Sequence, residues 1–279
     1  MVYPKIGFVG QGWIGKNYAD NFAERGYKIV RYSLEKKYRR NKAKIKTCDI
    51  VFIAVPTPTV NGEFQENYLI DALSNVGDGK IAVIKSTVQI GTTDRMQKFF
   101  PGIFMLHSPE FLTEKTAKWD SGNPDRNILG YTKKSFKRAG EVMNVLALAP
   151  YEAIVPCREA ELIKYAGNCW FYVKIMLLNV VYDIADKNGL DYNIIKDAMA
   201  ADKRIGRSHL EIEHQGGRGA GGHCFIKDFA AFKQMAIGAT NDKGLDFLEA
   251  AEEWNKHLLR KTKKDLDLLN GVYENERDY

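Results

Sequence analysis

The sequence has few cysteines, no long apolar run and no strong excess of either charge. Its four cysteines are far apart and form no Cys-x-x-Cys pair, which excludes a disulfide-stapled scaffold and favours a reducing, cytoplasmic compartment. No run of about 18 apolar residues occurs and no signal-peptide pattern is present, so we expect neither a membrane span nor secretion. A net charge of +6 without a long basic tract argues against nucleic acid as a partner.

The composition that remains is that of a globular protein. Hydrophobic residues make up 45% of the chain and charged residues 27%. The length of 279 residues suggests two domains and is sufficient for a core without metal or disulfide support.

The first half of the chain alternates short apolar segments with helical ones. The predicted strands are Lys5–Gly10, Tyr27–Tyr32, Asp49–Pro56, Lys80–Thr87, Ile103–Ser108, Asn127–Tyr131 and Tyr151–Val155. The predicted helices between them are Trp13–Arg25, Glu66–Val76, Thr92–Phe99 and Lys133–Leu148. Because the strands are continuously apolar, this series predicts a doubly wound parallel sheet covered by helices on both faces, of Rossmann type.

The pattern becomes entirely helical after Pro156. One long helix is predicted over Cys157–Lys187, and further helices over Asn193–Ala201, Lys227–Ile237 and Gly244–Leu269. We therefore expect an α/β domain at residues 1–155 and an all-α central domain at 156–279.

A glycine motif follows the first strand and opens the first helix. The motif is Gly10-Gln11-Gly12-Trp13-Ile14-Gly15, which fits Gly-x-Gly-x-x-Gly. In this context it predicts a dinucleotide site, with the pyrophosphate at the helix N-terminus, and so NAD or NADP as cofactor. The alternative is a glycine turn that only packs.

The end of the second strand leaves the choice between NAD and NADP open. Ser33 stands where an acidic residue that binds the ribose of NAD is expected, and Glu35 follows two residues later. Glu35 could take the place of that acid and favour NAD. Alternatively, a 2′-phosphate of NADP could be held by Ser33, Arg31 and the nearby Lys36, Lys37 and Arg39.

Three polar segments follow later strands, at the edge of a parallel sheet where ligands bind. They are Val55-Pro56-Thr57-Pro58, Lys85-Ser86-Thr87 and Ser108-Pro109-Glu110-Phe111-Leu112. A fourth segment, Gly221 to Asp228, brings Cys224 to a predicted helix start, where the helix dipole favours a thiolate.

These segments, together with Glu161 to Asn168 on the long helix, resemble the UDP-glucose/GDP-mannose 6-dehydrogenase family in residue type and order. The resemblance implies NAD-dependent, two-step oxidation of a nucleotide-sugar C6 alcohol to a carboxylate through a cysteine thioester. Separately, the long helix is apolar over much of its circumference, which predicts that it is buried between the subunits of a homodimer; the apolar residues include Trp170, Phe171, Ile175, Leu178 and Val181. The family carries a further C-terminal UDP-binding domain, so the chain is expected to be a short form that lacks it.

The same resemblance assigns roles to individual residues. Catalytic roles fall to Cys224 as nucleophile, Lys164 and Asn168 at the oxyanion, Asp228 as acid–base, and Thr87 and Glu110 for water. Cofactor contacts fall to Gly10, Gln11, Gly12, Trp13, Ile14, Gly15, Ser33, Val55, Pro56, Thr57, Ser86, Thr87 and Glu110. Substrate contacts fall to Phe111, Leu112, Glu114, Lys164, Asn168, Arg218, Gly221 and Lys227, with Arg218 reaching across a dimer. No metal is implied.

Each assignment has an ordinary structural alternative. Cys224 could be a buried thiol like Cys48, Cys157 and Cys169, and Glu110 could cap a helix. The Lys164–Asn168 pair could be a solvated helix face, and Thr87 a strand-end hydroxyl. The sequence also departs from the family pattern, with His107 for Asn, Lys115 for Gly, Ala220 for a bulkier residue and Ile226 for Pro.

Two other functions are considered. A 3-hydroxyacid dehydrogenase also joins a Rossmann domain to a helical domain and uses a helix lysine with a nearby asparagine, but it lacks the cysteine segment and performs one oxidation. A non-catalytic NAD-binding or partner-dependent protein would use the long helix for assembly. A zinc site from His209, His214, His223 and Cys224 matches no usual ligand spacing.

Overall fold

The computed structural model describes residues 3–60, 63–113 and 115–273. Its strands are β1 Ile6–Val9, β2 Ile29–Tyr32, β3 Ile50–Ile53, β4 Thr59–Val60, β5 Glu63–Phe64, β6 Ile81–Ile84, β7 Phe104–His107, β8 Arg126–Tyr131 and β9 Tyr151–Pro156. Its α-helices are α1 Trp13–Glu24, α2 Lys42–Ile45, α3 Asn67–Leu73, α4 Thr92–Phe99, α5 Ala117–Asp120, α6 Ala139–Met143, α7 Cys157–Lys187, α8 Tyr192–Ala201, α9 Gly222–Ala236, α10 Asp242–Thr262 and α11 Leu266–Tyr273.

The chain divides into two compact units, and α7 runs from one into the other. The first unit contains the residues up to Thr57 and Gln65–Lys164. The second contains Pro58–Phe64 and the residues from Tyr165 onward. The predicted boundary after residue 155 stays a prediction.

The first unit is built on the seven-stranded sheet that the apolar segments predicted. The strand order is β2-β1-β3-β6-β7-β8-β9, and neighbours are parallel except for β8, which runs antiparallel to β7. Every residue of β1, β3 and β6 is buried, as expected of central strands covered on both faces. Chain order reverses between β1 and β3, so the ligand crevice of a doubly wound sheet lies at the ends of these strands.

The early turns of α7 belong to this first unit because they pack directly on the sheet and on α4. An added Cβ at Gly130 on β8 would lie 2.7 Å from the Cβ of Ala160. Glu161 accepts hydrogen bonds from the backbone N–H groups of Gly91 (2.5 Å) and Thr93 (2.7 Å) and from the Thr93 hydroxyl (2.6 Å). The Glu161 carboxylate therefore satisfies N–H groups at the start of α4 that no intrahelical carbonyl can reach.

Apart from strands β4 and β5, the second unit is helical, and it packs around α7, α9 and α10. The rings of Tyr172 and Phe229 stack at 3.8 Å between centroids, and Ala220, Leu248 and Leu258 join the same buried cluster. Leu259 of α10 and Leu269 of α11 enclose Ile226 of α9 in a smaller cluster.

Two predicted helices are shorter than expected. The segment Lys133–Leu148 contains only a short 3-10 helix and α6, because Ser135 and Thr132 bond to each other's backbone N–H groups and delay the helix start. The segment Gly244–Leu269 is two helices, since Lys263 adopts a left-handed conformation (φ 56°) and ends α10. The β4–β5 hairpin, α2 and α5 were not predicted.

Within the described residues, no helix combines the length and the apolar character that crossing a membrane requires.

Candidate active site

The glycine motif lies where β1 ends and α1 begins. Gly10 has φ 90°, and an added Cβ would lie 2.1 Å from the carbonyl oxygen of Ala54 after β3. An added Cβ at Gly15 would lie 2.1 Å from the carbonyl oxygen of Gly10. Gly10 and Gly15 are thus required by the backbone approach itself, as the motif predicted.

Gly12 differs from these two glycines because it faces open space. An added Cβ there would meet nothing in the described chain within 4 Å, and its φ of −67° suits any residue. Gly12 is the N-cap of α1 and no described side chain caps it, so the first N–H groups of α1 are left without a side-chain acceptor in the described chain. The adjacent Gln11 is buried, and its Oε1 has no hydrogen-bond partner among the described residues. The uncapped N–H groups of α1 and the open side of Gly12 fit the pyrophosphate of a dinucleotide.

The loops after β3 and β6 are joined beside the glycine turn. Ser86 Oγ accepts from the backbone N–H of Val55 (3.0 Å) and donates to its carbonyl (2.7 Å). The Thr57 hydroxyl donates to the carbonyl of Thr87 at 2.7 Å. Pro56, which separates Val55 from Thr57 in the sequence, is exposed. The structure therefore brings the predicted cofactor residues of these two loops together.

At the end of β2, where the ribose of the cofactor is expected, few charged side chains are held in place by other residues. Ser33 is half-buried, and its Oγ accepts weakly from the N–H of Glu35 at 3.4 Å. Arg31 forms an ion pair with Asp20 at 2.6 Å and is therefore engaged elsewhere. Lys36 and Lys37 are exposed.

A buried polar cluster lies at the ends of β6 and β7. Glu110 and Lys85 are almost fully buried and form an ion pair at 3.4 Å, and the Lys85 ammonium lies 4.1 Å from the centroid of the Tyr18 ring. Burial lowers the pKa of Lys85, and the Glu110 charge opposes this shift. Burial and Glu110 together raise the pKa of Tyr18. Glu110 Oε1 accepts from the N–H of Leu112 at 2.6 Å, and Oε2 is the oxygen that faces the Lys85 ammonium.

This environment shows that Glu110 does not cap a helix, since no helix starts there. Lys85 was not predicted as a site residue, although a lysine at the end of an apolar strand is a signal that could have identified it. Phe111 lies against this cluster, with the Arg126 guanidinium 4.0 Å and the Lys164 ammonium 5.8 Å from its ring centroid. Glu114, a predicted substrate residue, lies outside the described residues.

His107 is fully buried beside this cluster. Both ring nitrogens lack a hydrogen-bond partner among the residues that the structure describes. Burial, reinforced by the charges of Lys85 and Lys164, lowers the pKa of His107 to about 3. His107 is therefore neutral at physiological pH.

The helical unit assembles the second group of predicted residues around Asp228. Asn168 Nδ2 donates to Asp228 Oδ2 at 2.6 Å, and the Lys227 ammonium lies 2.5 Å from Asp228 Oδ1. Asp228 is 1% exposed. Although burial opposes it, the Asp228 charge raises the pKa of Lys227. The carboxylate is thus held on both oxygens, with Cys224 one helical turn earlier on α9.

Cys224 differs from the other cysteines in exposure and position. It is the third residue of α9 and is exposed, whereas Cys48, Cys157 and Cys169 are buried. Burial raises the pKa of Cys48 to about 11 and that of Cys157 to about 12, and it also raises that of Cys169. Cys224 is therefore the one exposed thiol among the four, and its role as the reactive cysteine stays a prediction.

The loop that precedes Cys224 also contains Arg218. Its guanidinium donates to Asn179 Oδ1 (2.9 Å) and Asp183 Oδ1 (2.7 Å) on α7 and lies 4.7 Å from the centroid of the Tyr182 ring. Gly221 lies close to Asp265, whose Oδ2 would be 2.0 Å from an added Cβ. Nothing in the amino-acid pattern indicates that Asp265 is a neighbour of this loop.

Lys164 and Asn168 lie one turn apart on α7 and so share a face. Lys164 is the last residue of the first unit, and Asn168 belongs to the second. Lys164 is largely buried, so it is not part of a solvated helix face.

Two protein-family models match the chain. Residues 31–146 match the NAD binding domain of the UDP-glucose/GDP-mannose dehydrogenase family, and residues 158–257 match the central domain of the same family. NAD is the cofactor of this family.

Individual relatives agree with these matches. UDP-glucose 6-dehydrogenase TuaD of Bacillus subtilis is 31% identical over 84% of this chain and 59% of its own length. The structure of a UDP-glucose dehydrogenase from Pyrobaculum islandicum superposes with a TM-score of 0.79 at 27% identity, covering 93% of this chain and 69% of that one. The chain spans between 35% and 59% of the length of each of the first four curated relatives that it matches.

The fold is also shared with a different dehydrogenase. A 3-hydroxyisobutyrate dehydrogenase of Mycobacterium tuberculosis superposes with a TM-score of 0.71 at 14% identity, covering 99% of this chain and 100% of that one. This similarity concerns the fold alone.

Proposed function

The chain belongs to the UDP-glucose/GDP-mannose dehydrogenase family, and from that premise we propose that it oxidises the C6 alcohol of a nucleotide sugar to a carboxylate in two NAD-dependent steps. The observation that carries the proposal is the exposed Cys224 thiol at the start of α9, one turn before the doubly held Asp228. A single oxidation needs no such thiol.

NAD supplies the acceptor for the hydride of both oxidations. Gly10, Gly12 and Gly15 would hold its pyrophosphate against α1, and the strand-end loops around Thr57 and Thr87 would border its other half. We infer NAD rather than NADP, because Arg31 is paired with Asp20 and no described side chain organises the exposed lysines for a 2′-phosphate.

Cys224 makes the second oxidation possible. After the first oxidation the sugar carries an aldehyde, and the Cys224 sulfur bonds to its carbon while the oxygen takes up a proton, giving a thiohemiacetal. Loss of hydride from that carbon and of the hydroxyl proton gives a thioester. Water then attacks the thioester carbon, the carbon–sulfur bond breaks, and the carboxylate leaves with the thiol restored.

The other residues stabilise negative charge, transfer protons or position water in this scheme. Lys164 and Asn168 stabilise the negative oxygen that develops when the sulfur or water attacks. Asp228 exchanges the proton of the alcohol or water, and its hydrogen bonds from Asn168 and Lys227 fix its orientation. Glu110 and Thr87 position the water that hydrolyses the thioester.

The substrate residues are proposed on the same basis. Phe111 and Leu112 follow β7, and Gly221 and Lys227 flank Cys224. Arg218 is held by α7 of its own chain in this structure, and its use across a dimer is part of the proposal. UDP-glucose is the first substrate to test because relatives carry its name.

The number of NADH molecules released per molecule of UDP-glucose tests the proposal. With limiting sugar and excess NAD, two equivalents are expected, accompanied by glucuronate-type product. One equivalent with an aldehyde or ketone product would favour the single-step 3-hydroxyacid type. No NADH from UDP-glucose or GDP-mannose, although calorimetry detects NAD binding, would contradict the oxidoreductase and favour a non-catalytic NAD-binding protein.

We also propose a homodimer in the cytoplasm. Trp170, Leu177 and Ile184 recur every seven residues on α7 and are 67%, 62% and 57% exposed, so they form one apolar stripe. Light scattering should give a dimer mass for the wild type and a monomer mass for Leu177→Asp, while Asp186→Ala on the same helix should remain dimeric. A monomeric wild type would contradict this assembly, and cell fractionation outside the cytoplasm would contradict the location.

A further inference from the structure

A group of side chains on the second half of α10 and directly after it holds the glycine loop that precedes Cys224. Asn255, Thr262, Lys264 and Asp265 all bond to the backbone of residues 218–222, and we name these four the loop clamp. None of them was recognised from the sequence, and none takes part in the chemical steps described above. Their shared feature is that each side chain recognises main-chain atoms.

Asn255 makes the most specific of these contacts. Its Oδ1 accepts from the N–H of Ala220 at 2.7 Å, and its Nδ2 donates to the carbonyl of the same residue at 3.0 Å. Asn255 is 2% exposed and Ala220 is fully buried. Because one amide satisfies both backbone groups of one residue, it fixes the orientation of that peptide as well as its position.

The remaining clamp residues bind on either side of Ala220. Lys264 Nζ donates to the carbonyl of Gly219 at 2.9 Å, and Asp265 Oδ2 accepts from the N–H of Gly222 at 2.7 Å. Thr262 Oγ1 accepts from the N–H of Arg218 at 3.2 Å. The last clamped residue, Gly222, is the first residue of α9, two positions before Cys224.

Three alternate glycines of this loop each lie close to a clamp residue. An added Cβ would lie 2.6 Å from Thr262 Oγ1 at Gly217, 2.8 Å from Asn255 Oδ1 at Gly219, and 2.0 Å from Asp265 Oδ2 at Gly221. The alternate glycines are therefore needed for the close approach of backbone to clamp. This explains a run of glycines that the chemistry of Cys224 alone does not require.

We propose that Asn255 and Asp265 are positioning residues, which hold the Gly219–Gly222 backbone and thereby set the first turn of α9 and the place of the Cys224 thiol. This inference rests on the proposed function in that it treats Cys224 as the nucleophile. Since a thiolate at a helix N-terminus is stabilised only while that turn is well formed, loosening the loop lowers both thiolate content and alignment.

The direct test is the rate at which iodoacetamide alkylates Cys224 in the native full chain, followed by peptide mass spectrometry. Asn255→Ala changes no charge and should slow alkylation at pH 7.5 by about fivefold or more. Asp265→Ala and Asp265→Asn both remove a charge, but only Asn retains an acceptor for Gly222. Alkylation should therefore be slower in Asp265→Ala than in Asp265→Asn.

Tyr192→Phe is the matched control. It removes a buried hydrogen bond to a backbone carbonyl, that of Leu210, in the same unit but away from the clamp. Its alkylation rate should stay within about twofold of wild type. With UDP-glucose and NAD, Asn255→Ala should lower kcat about tenfold and change KM by less than about twofold.

Equal alkylation rates in Asn255→Ala and Tyr192→Phe, with no difference between the two Asp265 variants, would overturn the positioning role. Should Asn255→Ala fail to fold, the Asp265 pair decides alone, because Asp265 is only half-buried. The alkylation readout does not need turnover. An inactive wild type would therefore refute the proposed function while leaving the positioning result interpretable.

Discussion

The two units build their sites from different parts of the chain. In the first unit the proposed cofactor cradle consists mainly of backbone, with Gly10, Gly12 and Gly15 at the end of β1. In the helical unit the site consists of side chains, with Asp228 held by Asn168 and Lys227 near the Cys224 thiol. A site built from backbone is disrupted by an added side-chain atom wherever two backbone segments are in contact. A site built from side chains instead loses its activity when one functional group is removed.

Exchange of one atom in the side-chain site should give the largest effect. Asp228→Asn preserves the shape but cannot accept a proton, so kcat for NADH release should fall by about 100-fold or more. The control is Asp197→Asn on α8, which makes the same chemical change. Asp197 forms an exposed ion pair with Arg207, so this variant should leave kcat unaltered. Steady-state kinetics with UDP-glucose measures both, and equal kcat values for the two variants would remove Asp228 from the mechanism.

The backbone site is tested by one added methyl group at two glycines. Gly10→Ala places a Cβ 2.1 Å from the Ala54 oxygen at φ 90°, so the free energy of unfolding should fall by about 3 kcal/mol or more. Gly12→Ala meets nothing in the described chain, so stability should change by less than about 0.5 kcal/mol while NAD affinity falls about tenfold or more. Urea unfolding and calorimetry measure the two quantities. A Gly12→Ala variant with normal NAD affinity would show that the cradle is not the cofactor site.

His107 should make the stability of the first unit depend on pH. Its folded pKa of about 3 lies below the ordinary value of 6.5, so the unfolded chain takes up a proton first as the pH falls. The free energy of unfolding should therefore fall by about 1.4 kcal/mol per pH unit between about pH 6 and 4 through this residue, and remain unaffected above 6.5.

The variant His107→Gln should remove that slope. The measured quantity is the difference in free energy of unfolding between variant and wild type at each pH, because the contribution of the carboxylates is the same in both proteins. His257→Gln replaces an exposed residue and should retain it. An unchanged slope in His107→Gln would mean that the ring is hydrated or charged in the folded protein.

The smallest effect is expected at Arg31. Because it pairs with the partly exposed Asp20, Arg31→Ala should change the KM for NAD or NADP by less than about twofold. A rise of about tenfold in the KM for NADP alone would assign Arg31 to a 2′-phosphate and reverse the cofactor preference.

The same contrast determines how much the sequence could predict. The seven strands and the Gly10–Gly15 turn were predicted because continuous apolar runs and glycine spacing are local signals. The antiparallel direction of β8 was not, since strand direction depends on the connection rather than on the apolar pattern.

The side-chain partners within the helical unit could not be predicted either, because they lie far apart in the sequence and leave no local signal. Cys224 and Asp228 were identified by resemblance, and nothing local to the glycine loop indicated that Asn255, 35 residues later, holds Ala220. The buried Lys85 and its pairing with Glu110 likewise require the sheet that brings β6 beside β7.

The most direct test of the account is mass spectrometry of the whole protein after acid quench during turnover of UDP-glucose with NAD. We predict a covalent sugar acid on wild-type protein, located on Cys224, and none on Cys224→Ala or after hydrolysis is complete. A wild type that releases two NADH per sugar without any adduct on Cys224, or an unchanged adduct in Cys224→Ala, would contradict the thioester route.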